Sequence, residues 1–145
     1  MILSENEEFQ HTLAPSLDAL PTPFAIINAD TYDIEIANKA FGENGSAGRK
    51  CYRVSHQREA PCNDDEHPCP INEIRRTGEP AVVYHTHYDR SGNPRRLELH
   101  ASPVFDRQGR LKSIIEHGID VTEHKVSAAL LRKSEEKYRL LAEGT

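Results

Sequence analysis

Pro94-Arg-Arg-Leu-Glu-Leu-His-Ala-Ser-Pro-Val-Phe105, Asp106-Arg-Gln-Gly109, Arg110-Leu-Lys-Ser-Ile-Ile-Glu-His-Gly-Ile-Asp120 and then Val121-Thr122-Glu123 form the stretch that decides the fold. The first run alternates along most of its length, the four-residue segment ends in a glycine, and the third run turns back. Glycine supplies the positive φ that closes such a turn, so the segment predicts an antiparallel hairpin. Asp120 and Glu123 stand three apart, the spacing of a capping box. The Asp carboxylate accepts from the first free amides of a helix, and the Glu reaches back to the cap amide. A sheet that feeds directly into a helix can pass movement on, which makes Gly118, Asp120, Thr122 and Glu123 the candidate relay.

Working outward, Phe24-Ala-Ile-Ile-Asn28 and Ile34-Glu-Ile-Ala37 read as a first strand pair around a polar turn, and Ala81-Val-Val-Tyr-His-Thr-His-Tyr-Asp89 as a third strand. Asn38-Lys-Ala-Phe41 suggests one helical turn. Ile71-Asn-Glu-Ile-Arg-Arg-Thr77 reads as a short helix that Gly78 ends. Near the amino terminus, Ser4-Glu-Asn-Glu7 has capping-box spacing and Phe9 and Leu13 share a helical face. Pro15 is expected to break or kink that helix, with 15–20 as a second short one. The order predicts an α+β architecture: a five-stranded antiparallel sheet, short helices on one face, and flanking helices at both ends. The expected divisions are a flanking helix region at 1–20, a sensory core at 21–121 and a signalling helix at 122–145.

With 145 residues, 37% of them hydrophobic and 28% charged, the chain has the size of one domain with extensions. A net charge of -5 argues against a nucleic-acid partner. No apolar run approaches the ~20 residues that span a bilayer, the acidic start lacks a signal-peptide core, and three cysteines cannot all pair. A cytoplasmic domain is expected.

Leu-Pro-Thr-Pro-Phe-Ala-Ile-Ile from Leu20, Ile-Ala-Asn-Lys-Ala-Phe from Ile36, Thr-Gly-Glu-Pro from Thr77, the two polar turns and the closing Asp120-Val-Thr-Glu123 occur in this order across 17–123. In that order they resemble the PAS domain, the sensory module of bacterial signalling proteins. The resemblance implies a ligand pocket between the short helices and the sheet, and output through the flanking helices. It also implies a homodimer through those helices and an output domain further along the same chain, a histidine kinase or a diguanylate cyclase. Leu131-Arg-Lys-Ser-Glu-Glu-Lys-Tyr-Arg-Leu-Leu141 looks like the lead-in to a following PAS repeat, so a longer sensor protein is expected. No nucleophile elbow, P-loop or HExxH motif is present, and the expectation is a regulatory module without catalysis of its own. The competing reading is a dimerisation spacer whose pocket is filled by side chains.

Chemistry in the chain concentrates on Cys51, Cys62 and Cys69. Thiolates bind zinc or iron-sulfur clusters, with His67 or His56 as a fourth ligand, although spacings of ten and six residues are not the close knuckle of a zinc site. Silent half-buried cysteines, or a redox switch on a low-pKa thiolate near Arg49, Lys50 or Arg58, are the alternatives. His85, His87, His100 and His117 raise haem ligation or pH sensing. Pairing residue 89 with 94 and 105 with 110 places Tyr84, Leu97, Leu99, Ala101 and Ile114 on the pocket face, together with Val82 and Thr86. It places the histidines opposite, beside Glu98, and so disfavours haem. A one-residue slip would exchange the faces.

Overall fold

Two of the turns that the sequence marks close their strand pairs by local mechanisms. Gly109 takes φ 78°, and the Asp106 carboxylate accepts from the amides of Gln108 and Arg110, 2.9 Å each. The Asn28 side-chain oxygen accepts from the Asp30 and Thr31 amides and shapes the first turn. The computed structural model describes residues 5–42, 46–88 and 91–144. In chain order its elements are α1 (Glu5–Asp18), β1 (Phe24–Asn28), β2 (Ile34–Ala37), α2 (Cys51–His56), α3 (Pro70–Thr77), β3 (Ala81–Tyr88), β4 (Pro94–Phe105), β5 (Leu111–Asp120) and α4 (Thr122–Glu143).

The five strands form one antiparallel sheet in the order β2-β1-β5-β4-β3, so the last strand of the chain lies at its centre. One face carries the core. Ala25 and Ile27 of β1, Ala81 of β3, Ala101 of β4 and Ile114 of β5 pack beneath Ile71 and Ile74 of α3, with Ala29 and Ile34 beside them. The fold class is the α+β one expected.

The helices follow from local chemistry. Pro70 opens α3 at a position where its missing amide costs nothing, and Gly78 at φ 73° ends it. α2 carries no such signals: Lys50 precedes it in extended conformation without a side-chain cap, and Gln57, not glycine, takes the left-handed closing position at φ 52°. The sequence reading therefore missed it. At Asn38–Phe41 the expected helical turn is a single turn closed by the Phe41 amide on the Asn38 carbonyl, 3.1 Å.

Pro15 does not end the first helix. α1 runs through it, because proline removes only its own amide bond while the Ala19 amide still reaches the Pro15 carbonyl at 3.1 Å. The box beginning at Ser4 lies outside the described residues, as does the Phe9 side chain. No helix among the described residues is long and apolar enough to cross a membrane.

Candidate functional site

The register of β3 decides what the interior contains. Tyr88 pairs with Pro94, one residue away from the expected pairing of 89 with 94. Since side chains alternate with period two, that slip turns the whole strand over. Val83 and His85 are buried opposite Leu99 and Leu97, and His87 lines the interior with them. Tyr84 is therefore not a pocket residue. It is 42% exposed on the outer face, where its hydroxyl donates to Glu98 at 2.9 Å. Val82 is exposed there too. Between β4 and β5 a bulge at Val104/Phe105 makes the total shift two residues, which keeps the faces. Leu99, Ala101 and Ile114 are buried as expected, and Leu97 lines a side pocket. His100 and His117 stay outside, stacked with ring centres 5.0 Å apart, and Glu98 contacts His100 at 2.6 Å.

Turning β3 over brings histidines into a cluster. The His56 ring, at the end of α2, sits 4.8 Å from that of His85, 4.5 Å from that of His87 and 4.7 Å from that of His67. His85 Nε2 lies 2.6 Å from the Pro68 carbonyl, and its Nδ1 lies 3.0 Å from His56 Nε2. A carbonyl can only accept, so His85 carries its proton on Nε2 and turns the Nδ1 lone pair inward. His67 is held at the rim by Asp64, whose carboxylate accepts from its amide at 2.8 Å, and by the Thr86 carbonyl 3.3 Å from Nε2. His87 Nε2 is buried with no hydrogen-bond partner among the described residues. Burial, reinforced by the neighbouring imidazoles, pulls His56 down to about 3 and His87 to about 4, and lowers His85 as well. These three rings are neutral at pH 7.

The three cysteines reach the same place. Cys51, Cys62 and Cys69 line a cavity of about 30 Å³ with His56, His85, His87, Tyr32 and Glu116. All three are free thiols. Burial pushes Cys51 up to about 12 and Cys62 to about 11, and raises Cys69. The low-pKa thiolate that a redox switch requires is therefore not found, because desolvation outweighs the nearby cations. Among the described residues the one group of three metal-ligating atoms within 4.8 Å of one another consists of His56, His85 and His87, not the cysteines with His67. Glu116, missed in the sequence although it shares the inward face of β5 with Ile114 two residues before, lines the cavity. Burial alone raises its carboxyl to about 7.

Ser55, His87, Leu99 and Glu116 also line an adjoining pocket of about 210 Å³. Both volumes fall below the ~300 Å³ at which cofactor-sized ligand sites begin, so a porphyrin has no room. The reason for disfavouring haem is thus size rather than the position of the histidines. A shallower groove of about 650 Å³ along α3 and the β3 edge is lined mainly by exposed side chains such as Asp65, Arg76 and Glu79.

The exit from the sheet differs in detail from the expected capping box. Val121 occupies the N-cap position of α4, so Glu123 stands second in the helix, one short of the position from which it could reach back. Asp120 instead accepts from the Thr122 hydroxyl at 2.6 Å and amide at 3.0 Å, and pairs with Arg95 Nε at 2.7 Å. Burial opposes ionisation here, but these donors outweigh it and hold the Asp120 carboxyl below its ordinary value. Thr122 Oγ1 accepts from the Arg96 amide at 2.7 Å, and the Val121 amide donates to the Arg96 carbonyl at 2.8 Å. β4 therefore grips the start of α4. Gly118 permits close packing: a Cβ there would meet Leu99 Cδ2 at 3.2 Å and Pro23 at 3.7 Å. Gly118→Ala should change stability by less than about 1 kcal/mol in urea titration, because the Leu99 tip can yield while the unfolded chain loses freedom.

A family model described as a PAS fold, PAS_4, matches residues 17–126. No curated protein matches the chain. Among solved structures, an RNA-binding light-oxygen-voltage receptor superposes with TM-score 0.68 at 18% identity, covering 94% of this chain. This chain spans 40% of that receptor's length. The PAS domain of Bordetella pertussis BvgS gives TM-score 0.53 at 24% identity over 90% of this chain and 96% of its own. A sensory box histidine kinase/response regulator from Burkholderia thailandensis gives 0.56 at 19% over 90% and 98%. At these identities the likeness speaks for the fold. With the family model covering most of its length, the chain belongs to the PAS_4 family of PAS-fold domains.

Proposed function

We infer that this PAS domain is the sensory input module of a multidomain signalling protein, and that occupancy of its histidine-cysteine chamber is relayed to α4. One observation supports the relay most directly. β5, hydrogen-bonded on both sides at the centre of the sheet, carries Glu116 into the chamber and, four residues on, Asp120 at the start of α4. A small change at Glu116 therefore has a stiff path of about 13 Å to the helix. The domain performs no catalysis itself. Its output is a histidine kinase or diguanylate cyclase attached to the same polypeptide. Leu130, Leu131, Tyr138 and Leu141 stand exposed along α4, the kind of apolar seam through which two copies pair.

Asp120→Ala tests the relay. In the full-length protein it should uncouple output activity from the input, while the isolated domain loses at most about 1 kcal/mol, as for other exposed ion pairs. Unchanged output would contradict the reading. The small cavity favours one rival, a spacer with a filled interior. That rival predicts that perturbing the chamber leaves output untouched.

A further inference from the structure

We propose that His56, His85 and His87 form a binding site for one divalent transition-metal ion of the zinc type, held by three imidazole nitrogens inside the chamber. The inference rests on the chamber being the receiving element, and it names what the chamber receives.

Three independent features carry it. The ligand atoms converge: one nitrogen from each of the three rings lies within 4.8 Å of the other two, with His56 Nε2 and His85 Nδ1 3.0 Å apart. Tetrahedral ligation at 2.0–2.1 Å sets neighbouring nitrogens roughly 3.3 Å apart, so this pair is almost in place and His87 needs only a small inward swing. The second feature is the buried His87 Nε2, which has no partner among the described residues. A polar atom in that position is costly unless something binds it. Third, the Pro68 carbonyl fixes the His85 tautomer and leaves the inward Nδ1 as a lone pair, the backbone support that metal-bound histidines characteristically receive.

Imidazole nitrogens select zinc, copper, nickel or iron over magnesium or calcium. The cavity of about 30 Å³ holds an ion with one small group, and His87 and Glu116 open it toward the 210 Å³ pocket. A fourth coordination position is therefore reachable by a small donor from that side.

The test titrates the 145-residue chain, prepared metal-free under reducing conditions, with Zn²⁺ by calorimetry and with Co²⁺ by visible absorption. The expected result is one ion per chain and Co²⁺ d–d bands without thiolate charge-transfer bands. His87→Gln and His56→Gln should each weaken Zn²⁺ by about tenfold or more while circular dichroism stays native. The triple variant Cys51→Ser, Cys62→Ser, Cys69→Ser should retain binding. No saturable binding of Zn²⁺, Co²⁺, Ni²⁺ or Cu²⁺ overturns the proposal. So does binding that survives both histidine changes and disappears with the cysteines. Output of the full-length protein is measured separately. Stoichiometric binding that leaves output unaltered keeps the metal site and removes the signalling role, whereas output that responds to chamber substitutions without any metal binding does the reverse.

Discussion

Replacing Glu116 with Gln should raise the unfolding free energy of the metal-free domain by about 3 kcal/mol at pH 7.5 and also make the domain more acid-labile. The folded Glu116 carboxyl titrates near 7, against 4.5 for an ordinary one. Its pKa is raised in the fold, so the folded state binds its proton more tightly. That contribution is fully present below pH 4.5 and is lost as pH rises through 7. Gln removes the penalty at neutral pH and gains nothing at pH 4.

The histidines run the other way. His87 titrates near 4 when folded and 6.5 when free, so the unfolded chain takes up the proton first as pH falls. Stability is complete above pH 6.5 and declines toward 4. The difference is about 3 kcal/mol for His87, with a smaller, solvent-screened contribution from the more open His56. In the native chain the two trends largely offset each other between pH 7 and 4.5. With Gln at 116 the histidine term stands alone, and the thermal midpoint should fall by roughly 10 °C over that interval. Thermal melts followed by circular dichroism at pH 7.5 and 4.5 measure both effects. Equal acid sensitivity of the two proteins would contradict the assignment of Glu116 to the chamber.

Asn38→Asp should be more damaging, costing about 4 kcal/mol at neutral pH. Asn38 is 2% exposed and uses its whole side chain. Its Oδ1 accepts from the amides of Phe24 at 2.9 Å and Phe41 at 3.1 Å, and its Nδ2 donates to the carbonyls of Leu17 at 3.1 Å and Thr22 at 2.9 Å. One amide thus ties the end of β2 to the start of β1 and to the segment that follows α1. Asp keeps the two acceptors but sets a buried anion against two carbonyl oxygens, losing two hydrogen bonds and adding a desolvation cost. Asn38→Ala, which leaves the same partners bare without the charge, should cost less, about 3 kcal/mol. Urea titration at pH 7.5 separates the three proteins. A loss under 1 kcal/mol for Asn38→Asp would refute the account.

The strands were legible because their signals are local. The bounds of β1, β2 and β4 follow from short apolar or alternating runs between turn residues, and Gly78 and Gly109 mark positions that need positive φ. The site was less legible. His85 and His87 were visible as residues, but the face they occupy depends on whether 88 or 89 pairs with 94, and alternation within one strand leaves that register open. His56 was visible only as a neighbour of the cysteines, because α2 lacks the caps and the glycine stop by which a short helix is recognised. Asn38 was read only as the start of a helical turn and part of a motif, and nothing marked it as a buried tie. Its four partners come from segments between 17 and 41, and a polar residue after a strand looks like an ordinary turn.

α2 is six residues long and buries none of them. Its start is fastened by Lys50, which pairs with Asp33 at 2.9 Å and bonds the Thr31 carbonyl at 2.7 Å, and by the Cys51 amide on the Tyr32 carbonyl at 2.9 Å; Val54 packs against the core, and His56 Nε2 meets His85 Nδ1 at 3.0 Å. The other end carries His56. His85 and His87 are fixed in a strand, so the chamber has a rigid back wall in β3 and a facing ligand carried by a short helix. Moving so short a helix costs far less than unfolding the sheet. An ion held by all three rings would tie α2 to β3, so that binding is felt first between these two elements and only then as a strain on β5.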